Sequence, residues 1–247
     1  MPSAKDWKPA PDSAEDWTFL RNAARTLAYR IERAPDGGPV RDVAAVPGKK
    51  VMGYVQSAKT GRMQPWSRPV QRSRYWQCEI DPAVATYLAQ PLKLTMRVAG
   101  EEYEFHPDLL VRYRDGRIEC EALIPTRGIS KGERSLLPFA SDALAAEAIA
   151  LREVAERDVV GTARERNSVE IYADRWTEMT AGDHAAAAAA FGRMGGAATY
   201  GTAVEALGGP GLGRARLHAL ILRGKVGIDL DQPIRKTTPV RWMGGLR

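Results

Sequence analysis

Acidic side chains gather in one short stretch of the chain, residues 103–125, YEFHPDLLVRYRDGRIECEALIP. Asp108 follows Pro107 at the head of an apolar run, and Glu119 and Glu121 alternate with Ile118, Cys120 and Ala122. That period of two, with Arg114-Asp115-Gly116 as turn chemistry, predicts a hairpin with arms 103–113 and 117–124. A carboxylate at the mouth of one strand and others on the next can converge on one hard cation through oxygen ligands. A cation so held stabilises charge on phosphate and supports hydrolysis of a phosphodiester. The same spacing also fits a solvated hairpin with its acids on the wet face.

The residues that would position this hairpin lie upstream, in the run CEIDPAVATYLAQPLKLTMRV. Asp81-Pro82, Val84, Gln90-Pro91, Pro107-Asp108, Asp115-Gly116 and Glu121 follow one another across about residues 53–125. In that order they resemble the PD-(D/E)XK nuclease fold, and more narrowly the TnsA-type endonuclease subunit of heteromeric transposases. The resemblance implies an α/β restriction-endonuclease-like core followed by a helical, winged-helix C-terminal region. It implies Mg2+ or Mn2+ held by Asp108 and Glu121. Double-stranded DNA and a transposase or other mobile-element protein are the implied partners.

Two positions depart from that pattern. Leu123 stands where the family carries lysine, and Gln71, or Trp66 in another register, where a leading helix would offer glutamate. Lysine there would orient the attacking water and offset charge on the scissile phosphate, and leucine does neither. Gln71 could reach a metal through its carbonyl oxygen but brings no charge. Lys93, Lys131 and Glu79 are the candidates to fill the gaps, and each is equally a solvated surface residue. His106, beside Pro107-Asp108, is a further candidate to line the site. The expectation is a DNA-handling subunit with a nuclease fold whose cleavage is impaired or lost. The alternatives are an active Mg-dependent endonuclease with a relocated lysine and a free-standing winged-helix DNA-binding regulator.

The chain has 247 residues, 36 basic against 30 acidic, a formal charge of +6, which suits a polyanionic partner. Cys78 and Cys120 sit in apolar patterns and suggest no disulfide framework, and His106, His184 and His218 are too scattered for a zinc site. With no signal peptide or bilayer-spanning run, a soluble cytoplasmic protein without membrane contact is expected.

Three regions are expected: an N-terminal arm and helix over 1–46, a nuclease-like α/β domain over 47–134, and a helical domain over 135–247. Trp17, Leu20, Ala24, Leu27 and Ile31 fall at helical spacing behind Ser13, predicting an amphipathic helix over 13–34 after a loose arm. Residues 48–74 read as a flexible basic loop in which Lys49, Lys50, Lys59, Arg62, Arg68, Arg72 and Arg74 interleave with Tyr54 and Trp66. Cations and flat rings together suit phosphates and exposed bases, or a solvated loop with a plugged tryptophan. Residues 139–157 and 181–194 read as helices. From 200 onward, helix, turn, helix and hairpin is the grammar of a winged helix-turn-helix. From Pro210 onward the chain carries eight bases (Arg214, Arg216, Arg223, Lys225, Arg235, Lys236, Arg241 and Arg247) against Asp229 and Asp231. That charge suits a DNA backbone or, alternatively, the solvated face of a protein-docking module.

Overall fold

Two units divide the chain, one formed by residues 1–72 with 84–158 and the other by 73–83 with 159–247. The computed structural model describes residues 18–21, 26–41 and 51–244. The fold is mixed α/β. In chain order the first unit contains β1 (Thr18–Arg21), β2 (Thr26–Glu32), β3 (Gly53–Gln56), β4 (Met63–Trp66) and the start of α1 (Pro69–Ile80). It continues through β5 (Val84–Ala89), β6 (Lys93–Val98), β7 (Glu101–Phe105), β8 (Leu109–Tyr113), β9 (Ile118–Ile124), α2 (Lys131–Ala146) and β10 (Ala150–Ala155).

These strands build an antiparallel sheet β1-β2-β6-β7, a mixed sheet β10-β9-β8-β5 and the small ribbon β3-β4. Their shared core joins Tyr29, Leu94, Met96 and Phe105 of the first sheet to Cys120, Ala122 and Ile124 of β9. Leu137, Ala140 and Leu144 of α2 complete it. Each large side chain fully withdrawn from water there contributes about 1.5–3 kcal/mol. With Cys120, Ala122 and Ile124 in this core, the period of two puts Glu121 and Leu123 on the opposite face of β9, also buried.

The expectations for this unit need four corrections. The helix over 13–34 is replaced, in its described part, by β1 and β2; Ser13 and residues 1–12 lie outside the described residues. Tyr29 and Ile31 pair across β6 with Met96 and Leu94, and this partner lets the period of two prevail over helical spacing. The single arm over 103–113 is two strands in different sheets, parted at His106-Pro107-Asp108. The flexible loop over 48–74 holds β3, β4 and the start of α1, with Pro69 as its first residue, where a missing N–H costs nothing. The helix over 139–157 begins instead at Lys131 behind a capping box of Ser130 and Glu133 and stops at Ala146.

The end of α2 is encoded locally. Ile149 N–H bonds the Leu144 carbonyl and Ala148 N–H bonds that of Ala145, with Ala148 left-handed at φ 57°; this is a Schellman end. Residues 150–155 then pair parallel to β9, Leu151 opposite Cys120 and Val154 opposite Leu123. A parallel neighbour requires a long crossover, and α2 supplies it. The first unit therefore runs on past residue 134, to Asp158.

The second unit takes residues 73–80 of α1, then α3 (Ala163–Ala173), α4 (Ala181–Arg193), β11 (Ala197–Thr199), α5 (Tyr200–Ala206), α6 (Leu212–Leu222), β12 (Val226–Ile228) and β13 (Pro239–Trp242). Its three strands form an antiparallel sheet β11-β13-β12. Phe191, Leu217, Leu220, Ile221 and Val240 centre the core. At Gly213 a Cβ would lie 2.0 Å from the Val204 carbonyl oxygen, so α6 can approach α5 this closely only with glycine there. Buried Asn167 donates to the carbonyls of Leu230 and Gln232, 2.8 Å each, and anchors the loop between β12 and β13 to α3.

Candidate functional site

Backbone bonds fix Asp108 before its side chain is considered. Its N–H donates to Glu121 O at 2.8 Å and its carbonyl accepts from Gln90 N–H at 3.1 Å. The residue is buried, and both carboxylate oxygens are engaged. Oδ1 accepts from Arg68 Nη2 at 2.6 Å and from Gln71 Nε2 at 2.7 Å. Oδ2 accepts from the backbone N–H of Leu123 at 2.7 Å. Arg68 also donates through Nη1 to the Leu123 carbonyl at 3.1 Å, spanning carboxylate and strand.

The orientation of the Gln71 amide follows from its neighbours. Its Oε1 accepts backbone N–H groups from Ser67 at 2.8 Å and Arg68 at 3.1 Å, which only an oxygen can do. The amide nitrogen must then face Asp108. Gln71 thus caps the start of α1 with its oxygen and offers hydrogens, not lone pairs, to the carboxylate.

This donor set does not fit Mg2+ or Mn2+. Mg2+ or Mn2+ takes oxygen ligands, one or two carboxylates with water completing the shell, whereas the Asp108 oxygens here meet a guanidinium, an amide NH2 and a backbone N–H. Among the described residues, no group of three or more His, Cys, Asp or Glu is arranged to hold a metal. Glu121 is fully buried on β9, its backbone paired with Leu109, and Arg152 Nη1 stands 3.8 Å from its carboxylate.

The candidate replacements occupy other places. Lys93 Nζ lies 2.8 Å from Glu32 and 3.5 Å from Glu104, all on the β1-β2-β6-β7 sheet. Lys131 is the exposed first residue of α2, not a loop residue. Glu79 is buried in α1, in the second unit. His106 is pushed down to about 4, mainly by burial and further by the charges of Arg41 and Lys93.

Among the described residues, cations of the 48–74 segment are turned to the fold itself. Lys59 donates to the Val84 carbonyl at 2.8 Å, and Arg62 grips Asp36 through both carboxylate and carbonyl. Arg72 lies 5.2 Å from the centre of the buried Trp66 ring. Lys49 and Lys50 lie outside the described residues.

In the second unit, Arg216 reaches Asp183 at 2.6 Å and the Leu207 carbonyl at 3.1 Å. Arg223 bonds the carbonyls of Ala219 and Thr177 at 3.0 Å each. Arg214, half exposed on α6, stands 3.9 Å from Glu170. Lys225 is half-buried between α6 and β12. Arg235 and Lys236 are exposed in the β12–β13 loop. The backbone there is fixed, since Gly201 N–H bonds the Lys236 carbonyl and Tyr200 N–H that of Thr238.

One polar constellation escaped the sequence reading. His218 of α6 is fully buried, with Nδ1 2.6 Å from Asp174 Oδ2 and Nε2 2.7 Å from the Tyr200 hydroxyl. A carboxylate only accepts, so Nδ1 carries the proton and the Tyr200 hydroxyl donates to Nε2. Burial lowers the His218 pKa against the pull of Asp174, and burial pushes Tyr200 up to about 12. The network ties the C-cap of α3 to α5 and α6. A histidine inside the apolar run of α6 was the available signal, since a buried imidazole needs polar partners.

No family model matches this chain, and a search of curated proteins finds no match.

Proposed function

We propose that the protein is a DNA-handling subunit of a transposition-type machine, with a nuclease-like core that no longer cleaves and a winged-helix module that contacts duplex DNA. The observation carrying this reading is the engagement of Asp108 by Arg68, Gln71 and the Leu123 N–H. A carboxylate committed in this way already has a cation at Oδ1 and a donor at Oδ2, and Leu123 supplies no ammonium beside it. The order α1, β5, β8, β9, α2, β10, with β10 parallel to β9, supports the nuclease-like assignment. The order α4, β11, α5, α6, β12, β13, with the sheet β11-β13-β12, supports the winged helix. A transposase of the same mobile element is the partner class this reading implies.

The test pairs two measurements on the full-length protein. Fluorescence anisotropy with a labelled duplex should give binding that weakens steeply with salt, while supercoiled plasmid with Mg2+ or Mn2+ should remain uncut. Nicking that disappears in Asp108→Ala would replace this reading with that of an active endonuclease. Salt-insensitive or absent binding would remove the DNA role.

A further inference from the structure

We infer that Arg68 is the built-in cation of the Asp108 site and that its guanidinium closes the site to divalent metal. The inference deepens the non-cleaving reading and rests on it. Nη2 and Nη1 of Arg68 engage one carboxylate oxygen and one strand carbonyl, Asp108 Oδ1 at 2.6 Å and Leu123 O at 3.1 Å. An anionic oxygen beside a neutral carbonyl is also a pair that Mg2+ or Mn2+ takes. A metal ion moving toward Oδ1 would therefore meet a positive charge already seated there, in the fixed fork that suits arginine to such a pair.

The other partners of Asp108 are held more firmly. Leu123 N–H belongs to β9, and the Gln71 amide is pinned through its oxygen to the first turn of α1. The Arg68 side chain, about one-fifth exposed, is the component that can leave without dismantling a strand or a helix start. One side chain thus compensates the buried charge of Asp108 and occupies the place of a metal. Basic residues in this segment look like DNA contacts in the sequence; here the cation serves the protein's own carboxylate.

The probe is Mn2+ alone, measured by electron paramagnetic resonance titration of the full-length protein, with folding of each variant checked by circular dichroism. Arg68→Gln should bind Mn2+ at least about tenfold more tightly than wild type, and the gain should vanish in the Arg68→Gln, Asp108→Asn double variant. Arg68→Lys, which keeps the charge but loses the fork, should fall between the two and carries the test should Arg68→Gln not fold. Equal affinity in wild type and Arg68→Gln, or in wild type and Arg68→Lys where only the latter folds, would overturn the inference and leave the non-cleaving reading standing. A gain that survives Asp108→Asn would also overturn it, because the metal would be held elsewhere. Mn2+ held tightly by wild type and lost in Asp108→Asn would overturn both.

Discussion

The N–H of Leu123 donates to Asp108 Oδ2 at 2.7 Å, so this strand residue serves the carboxylate through its backbone. Its side chain is fully buried and contributes packing alone. Asp108 accordingly stitches three elements: β9 through Leu123, the start of α1 through Gln71, and the preceding turn through Arg68. Removing it leaves a guanidinium, an amide and a backbone N–H without their acceptor. Asp108→Ala is expected to lower unfolding stability by about 3 kcal/mol, read from urea denaturation midpoints. A loss below about 1 kcal/mol would mean that the carboxylate does not bind the elements together.

The exposed and the engaged arginines of the second unit should separate in experiment. Arg235→Ala with Lys236→Ala should leave the melting temperature nearly unchanged, weaken duplex binding and reduce the salt slope by about two. Arg216→Ala should instead destabilise the fold by about 1–2 kcal/mol, because Asp183 Oδ1 and the Leu207 carbonyl both lose the Arg216 donor. Equal thermal losses in the two variants would contradict the assignment of Arg216 to the scaffold.

His106 sets an acid limit on stability. Its pKa falls from 6.5 to about 4 on folding, so between these values the unfolded chain takes up a proton first. The stabilisation is complete above pH 6.5 and is lost as pH falls toward 4. Wild type should lose about 2 kcal/mol more than His106→Asn on moving from about pH 7 to pH 4.5, measured by chemical denaturation at each pH. Parallel losses in the two proteins would exclude this histidine as the cause.

Ala148 holds the left-handed position that ends α2, φ 57°, and is exposed. Glycine adopts this conformation without the steric cost of a Cβ. Ala148→Gly is expected to stabilise the protein by about 1 kcal/mol, visible as a higher urea midpoint with an unchanged slope. A destabilised variant would show that the entropy of the unfolded chain outweighs the relief of strain.

Parts of this arrangement were legible in the sequence because they are local. Gly116 at φ 91° makes the turn between β8 and β9, and the apolar alternation of β9 sets which side chains enter the core. The breaks at Gly195, Gly208 and Gly224 likewise mark helix and strand limits in the second unit. The distant pairings were not legible. Residues 26–32 carry helical and strand spacing at once, and the neighbouring strands β1 and β6 decide between them. Residues 150–155, ALREVA, are mostly good helix formers, yet the free edge of β9 draws them into a parallel strand. At the site, the hydrogen bond between Gln71 and Asp108 joins residues far apart in the chain, and the role of Arg68 had no sequence signal. A basic residue beside proline has no sequence mark separating a DNA contact from an internal ion pair.

The division of α1 between the two units bears on how the chain can be synthesised and dissected. Ser73, Gln77 and Ile80 leave the ribosome long before their partners: Ser73 waits for Glu165 at 2.6 Å, Gln77 for the Val159 carbonyl at 3.0 Å, and Ile80 for the core around Phe191. The mixed sheet likewise lacks β10 until residue 155 has emerged. A fragment ending at 158 would expose the orphaned half of α1, and one beginning at 159 would lack it. A cut at residue 158 therefore separates Ser73, Gln77 and Ile80 from the partners that hold them.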